Sequence, residues 1–180
     1  MRIACVGTHC LGKSTFIKDF RRVYKTYKTP TTTYRQMAKS MDLPLNTDAK
    51  DYSQRMILDS LMQQVARYAD HLDVIHDRSP LDALMYSYSV FSEEEFFLAS
   101  TDVISAMNAN IDHILFFPLH GNTHIKLEEK DQRLNDVKYR WEIDRRFTNF
   151  LGVNVRCLPA ITYITGNRER RMKQVAQIIK

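Results

Sequence analysis

One eight-residue segment near the start of the chain constrains the fold more than any other. The pattern G-x-x-x-x-G-K-[ST] is matched by residues 7–14 (GTHCLGKS). Its glycines let the backbone wrap closely around phosphate groups and aim N–H groups at them. Residues 2–6 before it are a short apolar run, which indicates a buried strand, and residues 13–27 after it have helical spacing. A loop of this kind between a strand and a helix predicts a phosphate-binding site.

The chemistry of this loop predicts ATP and Mg²⁺ as cofactors. The side chain of Lys13 is expected to reach the β- and γ-phosphates, and the hydroxyl group of Ser14 is expected to bind Mg²⁺. The helix that begins near Lys13 points the positive end of its dipole at the same anion. The predicted ATP-binding residues are Gly7, Thr8, His9, Cys10, Leu11, Gly12, Lys13, Ser14 and Thr15.

The rest of the chain alternates short apolar runs with segments of helical periodicity. This alternation predicts an α/β fold in which helices cover both faces of a parallel sheet. Right-handed crossovers make it a three-layer sandwich with ligands at the carboxyl ends of the strands. We therefore predict a P-loop NTPase fold with five strands in a single domain, residues 1–180. The predicted strands are 2–6, 29–34, 72–76, 112–117 and 153–158, and the predicted helices are 13–27, 52–71, 81–90, 93–108, 137–151 and 167–179.

A second candidate site follows the third predicted strand, at residues 77–79 (DRS). This position puts it at the same edge of the sheet as the phosphate-binding loop. The Asp77 carboxylate can bind Mg²⁺ or accept a proton from an attacking hydroxyl group. The Arg78 guanidinium can hold a phosphate or a polar acceptor. The alternative interpretation is a turn in which Ser79 or Asp82 only caps the next helix.

The composition excludes several classes of protein. A hydrophobic content of 44% and a charged content of 26% are those of a globular protein rather than a disordered one. No apolar run approaches the roughly 18 residues of a membrane-spanning helix, and a strand begins where a signal peptide would lie. The three cysteines lack the spacing of a disulfide framework or a zinc site. We therefore expect a cytoplasmic protein.

Several motifs together resemble those of the small P-loop kinases. They are the loop GTHCLGKST, the segment DRSPLD, the helix YRWEIDRRFTNFL and the terminal ITGNRERR. Within this group the chain is similar to nucleotide and deoxynucleoside kinases, phage enzymes among them, and to the nicotinamide-riboside-kinase-like ATPase domains. The resemblance covers nearly the whole chain and implies an enzyme that transfers the γ-phosphoryl group of ATP.

The resemblance implies roles for residues outside the phosphate-binding loop. Asp77 matches the general base or magnesium partner of such kinases, and Arg78 matches the residue that contacts the acceptor. Residues 124–137 match a lid segment, and the arginines that it and the following helix would supply to the transferring phosphoryl group are Arg133 and Arg140, with Arg145 as a further candidate. The alternative for the lid is a solvated, charged helix.

Two further segments complete the predicted site. Asn167 and Arg168 match a loop that holds adenine in these folds, with a plain helix start as the alternative. Thymidylate-type kinases carry an acidic residue and an arginine after the second strand, whereas Tyr34 and Arg35 here have no acidic neighbour. This departure weakens the monophosphate interpretation. The predicted substrate residues are Tyr34, Arg35, Asp77, Arg78 and Ser79.

The choice of acceptor rests on charge. The net charge of +5 and the basic first and last predicted helices favour a polyanionic acceptor. The basic residues concerned are Arg21, Arg22, Lys25, Lys28, Arg168, Arg170, Arg171 and Lys173. Some phage members of the group resemble this chain in size and motifs and phosphorylate 5-hydroxymethyluracil in DNA, so this acceptor is our first prediction.

Other acceptors stay open from the sequence. The main alternative is a free deoxynucleoside or deoxynucleoside monophosphate, and a third is a nucleotide-binding ATPase without an acceptor. A phage-encoded enzyme would act in the host cytoplasm. The oligomeric state is open too, with a homodimer as one possibility.

Overall fold

A parallel sheet forms the middle layer of the protein. The computed structural model describes residues 1–44, 49–122 and 137–179. Within these residues the sheet has four strands in the order β2-β1-β3-β4, each parallel to its neighbour. The strands are β1 (Arg2–Val6), β2 (Val74–Asp77), β3 (His113–Phe116) and β4 (Ala160–Tyr163). Strand β1 is therefore paired on both sides.

Helices connect the strands and cover the sheet. The helices in the described residues are α1 (Lys13–Val23), α2 (Tyr34–Ser40), α3 (Asp51–Arg67), α4 (Pro80–Ser87), α5 (Glu93–Asn110), α6 (Val137–Val153) and α7 (Arg168–Ala176). The predicted order of helices and strands is confirmed apart from α2 and two of the strands. None of the described helices is long and apolar enough to cross a membrane. The single domain over residues 1–180 stays a prediction.

The predicted fifth strand is not found at residues 29–34. Lys28 makes one isolated bridge to Val74, and the chain then turns away from the sheet. The Thr33 hydroxyl group accepts a hydrogen bond from the Gln36 N–H group at 3.3 Å, and Gln36 Oε1 accepts one from the Thr33 N–H group at 2.8 Å. This capping box starts helix α2 where β-branched residues suggested a strand.

The predicted strand at residues 153–158 is also wrong, because helix α6 continues to Val153. The chain then turns, with the Cys157 N–H group donating to the Asn154 carbonyl group at 2.9 Å. Strand β4 begins only at Ala160. Val153 and Val155 are exposed valines at a helix end, so their β-branched character misled the prediction.

The two faces of the sheet carry separate hydrophobic cores, which confirms the predicted three-layer sandwich. On β1, Ile3 and Cys5 face one core and Ala4 and Val6 face the other, as expected for alternating side chains on a strand. The first core contains side chains of α1 and α7, and the second contains side chains of α3, α4, α5 and α6. The carboxyl end of β1 is thus enclosed by helices on both sides.

A substitution in the larger core tests this architecture. Phe147 on α6 is fully buried and its ring stacks on Phe116 of β3, with centroids 5.7 Å apart. We expect Phe147→Ala to lower the free energy of unfolding by about 3–5 kcal/mol in urea denaturation. Val153→Ala, on the same helix but at a side chain that is 84% exposed, should change it by less than about 0.5 kcal/mol. Equal effects of the two substitutions would contradict the placement of α6.

Candidate active site

The loop between β1 and α1 has the backbone geometry that its sequence predicts. Gly7 has a φ of 134°, and a Cβ atom there would lie 2.5 Å from the carbonyl oxygen of Phe117, which follows β3. Gly12 has a φ of 72° immediately before α1, and Cys10 also lies in the left-handed region with a φ of 57°. The loop can therefore approach its neighbouring strand closely only because residue 7 has no side chain.

The Lys13 side chain is folded into this loop. Its ammonium group donates hydrogen bonds to the carbonyl oxygens of Gly7 at 2.5 Å and of Thr8 at 2.6 Å. Burial lowers the pKa of Lys13 to about 8, and the positive charge of Arg78 acts in the same direction. The cationic Lys13 side chain is thus held among neutral carbonyl groups of the loop that the motif predicts to bind phosphate.

Ser14 and Asp77 meet at the carboxyl edge of the sheet. The Ser14 hydroxyl group donates to Asp77 Oδ2 at 2.6 Å, because Asp77 ends β2 beside the strand that leads into the loop. Within the described residues, no group of three or more acidic, histidine or cysteine side chains could hold a metal ion. One hydroxyl group and one carboxylate fit Mg²⁺, which prefers few protein oxygens and completes its shell with phosphates and water.

Arg78 is held by the helix that follows it. Its φ of 89° is unusual for a residue other than glycine. Its Nη1 atom lies 3.3 Å from Asp82 Oδ1, and its guanidinium carbon lies 5.4 Å from the centre of the Tyr86 ring. Burial raises the pKa of the Asp82 carboxyl group, whereas the charge of Arg78 opposes this rise. Asp82 therefore fixes the position of the guanidinium.

Ser79 has a structural role in the same turn. It is buried, and its N–H group donates to Asp82 Oδ2 at 3.0 Å. These contacts form the capping box of α4, which was the alternative interpretation for this segment. The substrate roles of Asp77, Arg78 and Ser79 stay predictions.

Tyr86 joins α4 to the phosphate-binding loop. Its hydroxyl group accepts the His9 N–H group at 3.1 Å and lies 3.1 Å from His9 Nδ1 and 3.5 Å from Thr8 Oγ1. The ring of Tyr139 on α6 lies 6.2 Å from that of Tyr86. Tyr86 was not among the site residues predicted from the sequence. The available signal was its spacing, since it lies one helical turn after Asp82 on the same face.

Arg140 on α6 reaches the same loop. Its side chain is 6% exposed, and its Nη2 atom donates to the carbonyl oxygen of Cys10 at 3.4 Å. Its buried Nε atom has no hydrogen-bond partner among the described residues. Asp144, one turn further on, accepts the Leu119 N–H group at 2.7 Å, and burial raises the pKa of its carboxyl group. At Arg140 the helix is therefore buried against the loop rather than solvated.

The predicted adenine loop lies before α7. Asn167 Oδ1 accepts the Arg170 N–H group at 2.9 Å, so its side chain caps the helix. The Arg168 guanidinium donates from Nε to Asp19 Oδ2 on α1 at 2.7 Å. The structure thus bears out a helix start, and the adenine contact of both residues stays a prediction.

Arg171 is the main functional candidate that sequence reasoning misplaced. It was grouped with the basic residues that would contact a polyanionic acceptor, but its side chain is only 4% exposed and cannot serve as an open contact surface. Its Nη1 atom donates to the Leu11 carbonyl oxygen at 2.9 Å and its Nε atom donates to the Gly166 carbonyl oxygen at 2.8 Å. The available signal was its spacing four residues before the buried Val175, which puts both on the inner face of α7.

Some predicted site residues lie outside the described part of the chain. They are Arg133 and the rest of the predicted lid up to residue 136. Val137, the last lid residue, is exposed at the start of α6. The side chains of Tyr34 and Arg35 are outside the description as well. Their proposed contacts stay predictions.

Comparisons with known proteins agree with this fold. A family model described as AAA domain matches residues 2–171. No curated protein matches the sequence at a significant level. The resemblance to small P-loop kinases is confirmed by the solved structures that are similar to this chain. Because their sequence identities are low, this confirmation concerns the fold.

Three solved structures illustrate the similarity. Deoxyadenosine kinase from M. mycoides has a TM-score of 0.66 at 15% identity, over 99% of this chain and 98% of its own. NadR protein in complex with NAD and AMP-PNP has a TM-score of 0.72 at 12% identity, over 97% of this chain and 48% of its own. Thymidylate kinase from Candida albicans has a TM-score of 0.62 at 16% identity, over 98% of this chain and 89% of its own.

The buried state of Lys13 predicts a pH dependence of stability. Its pKa is about 8 in the folded protein and 10.5 ordinarily, so between these values the unfolded chain binds more protons. The contribution of Lys13 to the free energy of unfolding should therefore rise as the pH rises from about 8 to 10.5. We expect the free energy of unfolding of the wild type relative to Lys13→Met to be larger at about pH 10 than at about pH 7.5 in urea denaturation. A difference that stays constant or falls would contradict the burial of a charged Lys13.

Proposed function

We propose that this chain, which belongs to the AAA domain family, is an ATP-dependent phosphotransferase acting on a hydroxyl group of a nucleic-acid component. The observation that carries the proposal is the contact between Ser14 and Asp77 at 2.6 Å beside the phosphate-binding loop. This contact links the phosphate-binding loop to the end of β2, where Asp77 is the carboxylate that accepts from Ser14 in the described part of the chain. A phosphotransferase needs these two groups together.

The loop is proposed to bind the triphosphate of ATP. Its backbone N–H groups and the start of α1 supply positive partial charges. The Lys13 ammonium group exchanges its bonds with two loop carbonyl groups for bonds with the β- and γ-phosphates. Mg²⁺ held by Ser14 and Asp77 would supply charge neutralisation at the phosphate oxygens.

Asp77 and Arg140 are proposed to take different parts in the phosphoryl transfer. The acceptor oxygen forms a bond to the γ-phosphorus, the bond from that phosphorus to the bridging oxygen breaks, and ADP leaves. Asp77 either takes the proton of the acceptor hydroxyl group or positions the magnesium ion. Arg140, which is buried against Cys10 of the loop, stabilises negative charge on the transferring group.

A free nucleoside or nucleotide is the acceptor that the charge distribution favours. The cations in the last turn of α1, Arg21 and Arg22, lie about 12–14 Å from Lys13 along the helix axis, since a helix rises 1.5 Å per residue. Asp19 also pairs with Arg22 and Arg168 and offsets part of their charge. Two of the similar structures, a deoxyadenosine kinase and a thymidylate kinase, align over nearly all of this chain, which supports the same acceptor class.

5-Hydroxymethyluracil in DNA is the second candidate acceptor. The net charge of +5 favours it, as do the exposed side chains of Arg21, Lys25 and Lys28. A base within duplex DNA would have to be flipped out of the stack to reach the loop. The two candidates differ in how they should respond to salt.

Substitution of Asp77 tests the proposed chemistry. We expect Asp77→Asn to lower the rate of phosphoryl transfer by about 10²-fold or more, because the amide cannot accept the proton or hold the metal ion equally well. ATP affinity, measured by calorimetry, should change little. Asp102→Asn, at an exposed carboxylate on α5, is the matched control and should leave both unchanged. Normal turnover combined with a lower melting temperature would reduce Asp77 to a structural role.

A transfer assay with radiolabelled ATP tests the acceptor. We expect label on free deoxynucleosides or their monophosphates, with little change on raising the salt concentration or on Arg21→Glu combined with Lys25→Glu. Label on hydroxymethyluracil-containing DNA that falls steeply with salt and with this charge reversal would identify the second candidate. Label found only on free phosphate would make the protein an ATPase and end the kinase proposal.

A further inference from the structure

Arg171 is a buried cation behind the phosphate-binding loop. In the described part of the chain, no carboxylate lies within ion-pair distance of its guanidinium. Its hydrogen-bond acceptors are neutral: the carbonyl oxygens of Leu11 and Gly166 and the side-chain oxygen of Asn122. The ring of Phe117 lies 5.4 Å from its guanidinium carbon. Burying a charge without a counter-charge has a high free-energy cost. An anion bound near Arg171 would offset this cost.

The contacts of Arg171 join three loops at the carboxyl edge of the sheet. Leu11 belongs to the phosphate-binding loop, Asn122 follows β3 and Gly166 follows β4. Asn122 is itself anchored, because its amide group donates to the carbonyl oxygens of Pro118 at 2.7 Å and Ile164 at 3.0 Å. The guanidinium is therefore held rigidly against the back of the phosphate-binding loop.

The charge of Arg171 can act on a bound phosphate group through two effects. The carbonyl oxygen of Leu11 belongs to the same peptide unit as the N–H group of Gly12, in a loop whose N–H groups cradle phosphates. A charged donor on the carbonyl oxygen polarises this unit and strengthens its N–H group as a donor. The guanidinium charge is also weakly screened, because it is buried in a medium of lower dielectric constant than water.

We propose that Arg171 is a positioning residue for the bound nucleotide, whose phosphate groups provide the counter-charge that the described residues do not provide. The inference rests on the proposed binding of ATP by the loop. It implies that nucleotide affinity depends on Arg171 in proportion to the number of phosphate charges. The transfer step does not depend on Arg171, because the guanidinium lies behind the loop and away from Asp77.

Removal of the charge tests the proposal. For Arg171→Met we expect a melting temperature without nucleotide at or above that of the wild type, because an uncompensated buried charge is removed. The dissociation constant for ATP, measured by calorimetry, should rise about tenfold or more, and those for ADP and AMP should rise progressively less. KM for ATP should rise while kcat stays close to that of the wild type. Arg171→Lys, which retains the charge, should recover part of the ATP affinity.

Arg146→Met is the matched control. Arg146 is also largely buried, but it pairs with Glu142 and donates to the Met85 carbonyl oxygen at 3.2 Å, away from the phosphate-binding loop. Its substitution should lower the melting temperature and leave ATP affinity unchanged. If Arg171→Met does not fold, Arg171→Gln keeps a hydrogen-bonding side chain without the charge and should show the same loss of ATP affinity.

Three outcomes would count against the proposal in different ways. An Arg171→Met protein that melts early and binds ATP normally would make Arg171 a purely structural residue. Equal losses for ATP and AMP, or no recovery in Arg171→Lys, would overturn the role of charge. A wild-type protein that binds no ATP would overturn the proposed function itself, and this inference with it.

Discussion

Strand β1 is hydrogen-bonded to a neighbour on each side, and this pairing sets the position of the phosphate-binding loop relative to the ends of β2 and β3. Its carboxyl end leads directly into the phosphate-binding loop, and Asp77 lies at the end of the adjacent strand. On the other side, Gly7 packs against the carbonyl group of Phe117 beyond β3. The loop is therefore fixed by backbone contacts on both sides before any side chain contributes, which explains how it can hold several buried charges in place.

These charges are unevenly distributed. Three cationic side chains, Lys13, Arg140 and Arg171, are buried around the loop and donate to its carbonyl oxygens. The buried carboxylate of Asp82 pairs with Arg78 instead, and that of Asp144 accepts a backbone N–H group. Positive charge therefore predominates around the loop apart from Asp77 beside Ser14, as suits a site for a polyanionic ligand.

The features that could be predicted from the sequence are those encoded by local residue types. The glycines at residues 7 and 12 specify a loop backbone that few other residues can adopt, so the loop and its place after a strand were predictable. Strand β4 was placed too early because the exposed Val153 has the same β-branched character as a buried strand residue. The spacing of Arg171 before Val175 indicated only that both lie on one face of α7; the contacts that bury Arg171 could not be predicted, since the loops that make them are distant in the sequence.

The internal bonds of Lys13 bear on how quickly a ligand can leave. A nucleotide that draws the ammonium group away from the Gly7 and Thr8 carbonyl oxygens must first break two short hydrogen bonds, and these bonds form again when the ligand departs. We therefore expect the net affinity for nucleotide to be the difference between two similar sets of interactions, and hence moderate rather than extreme. A moderate affinity shortens the residence time of the spent nucleotide, which matters because product release limits the turnover of many enzymes.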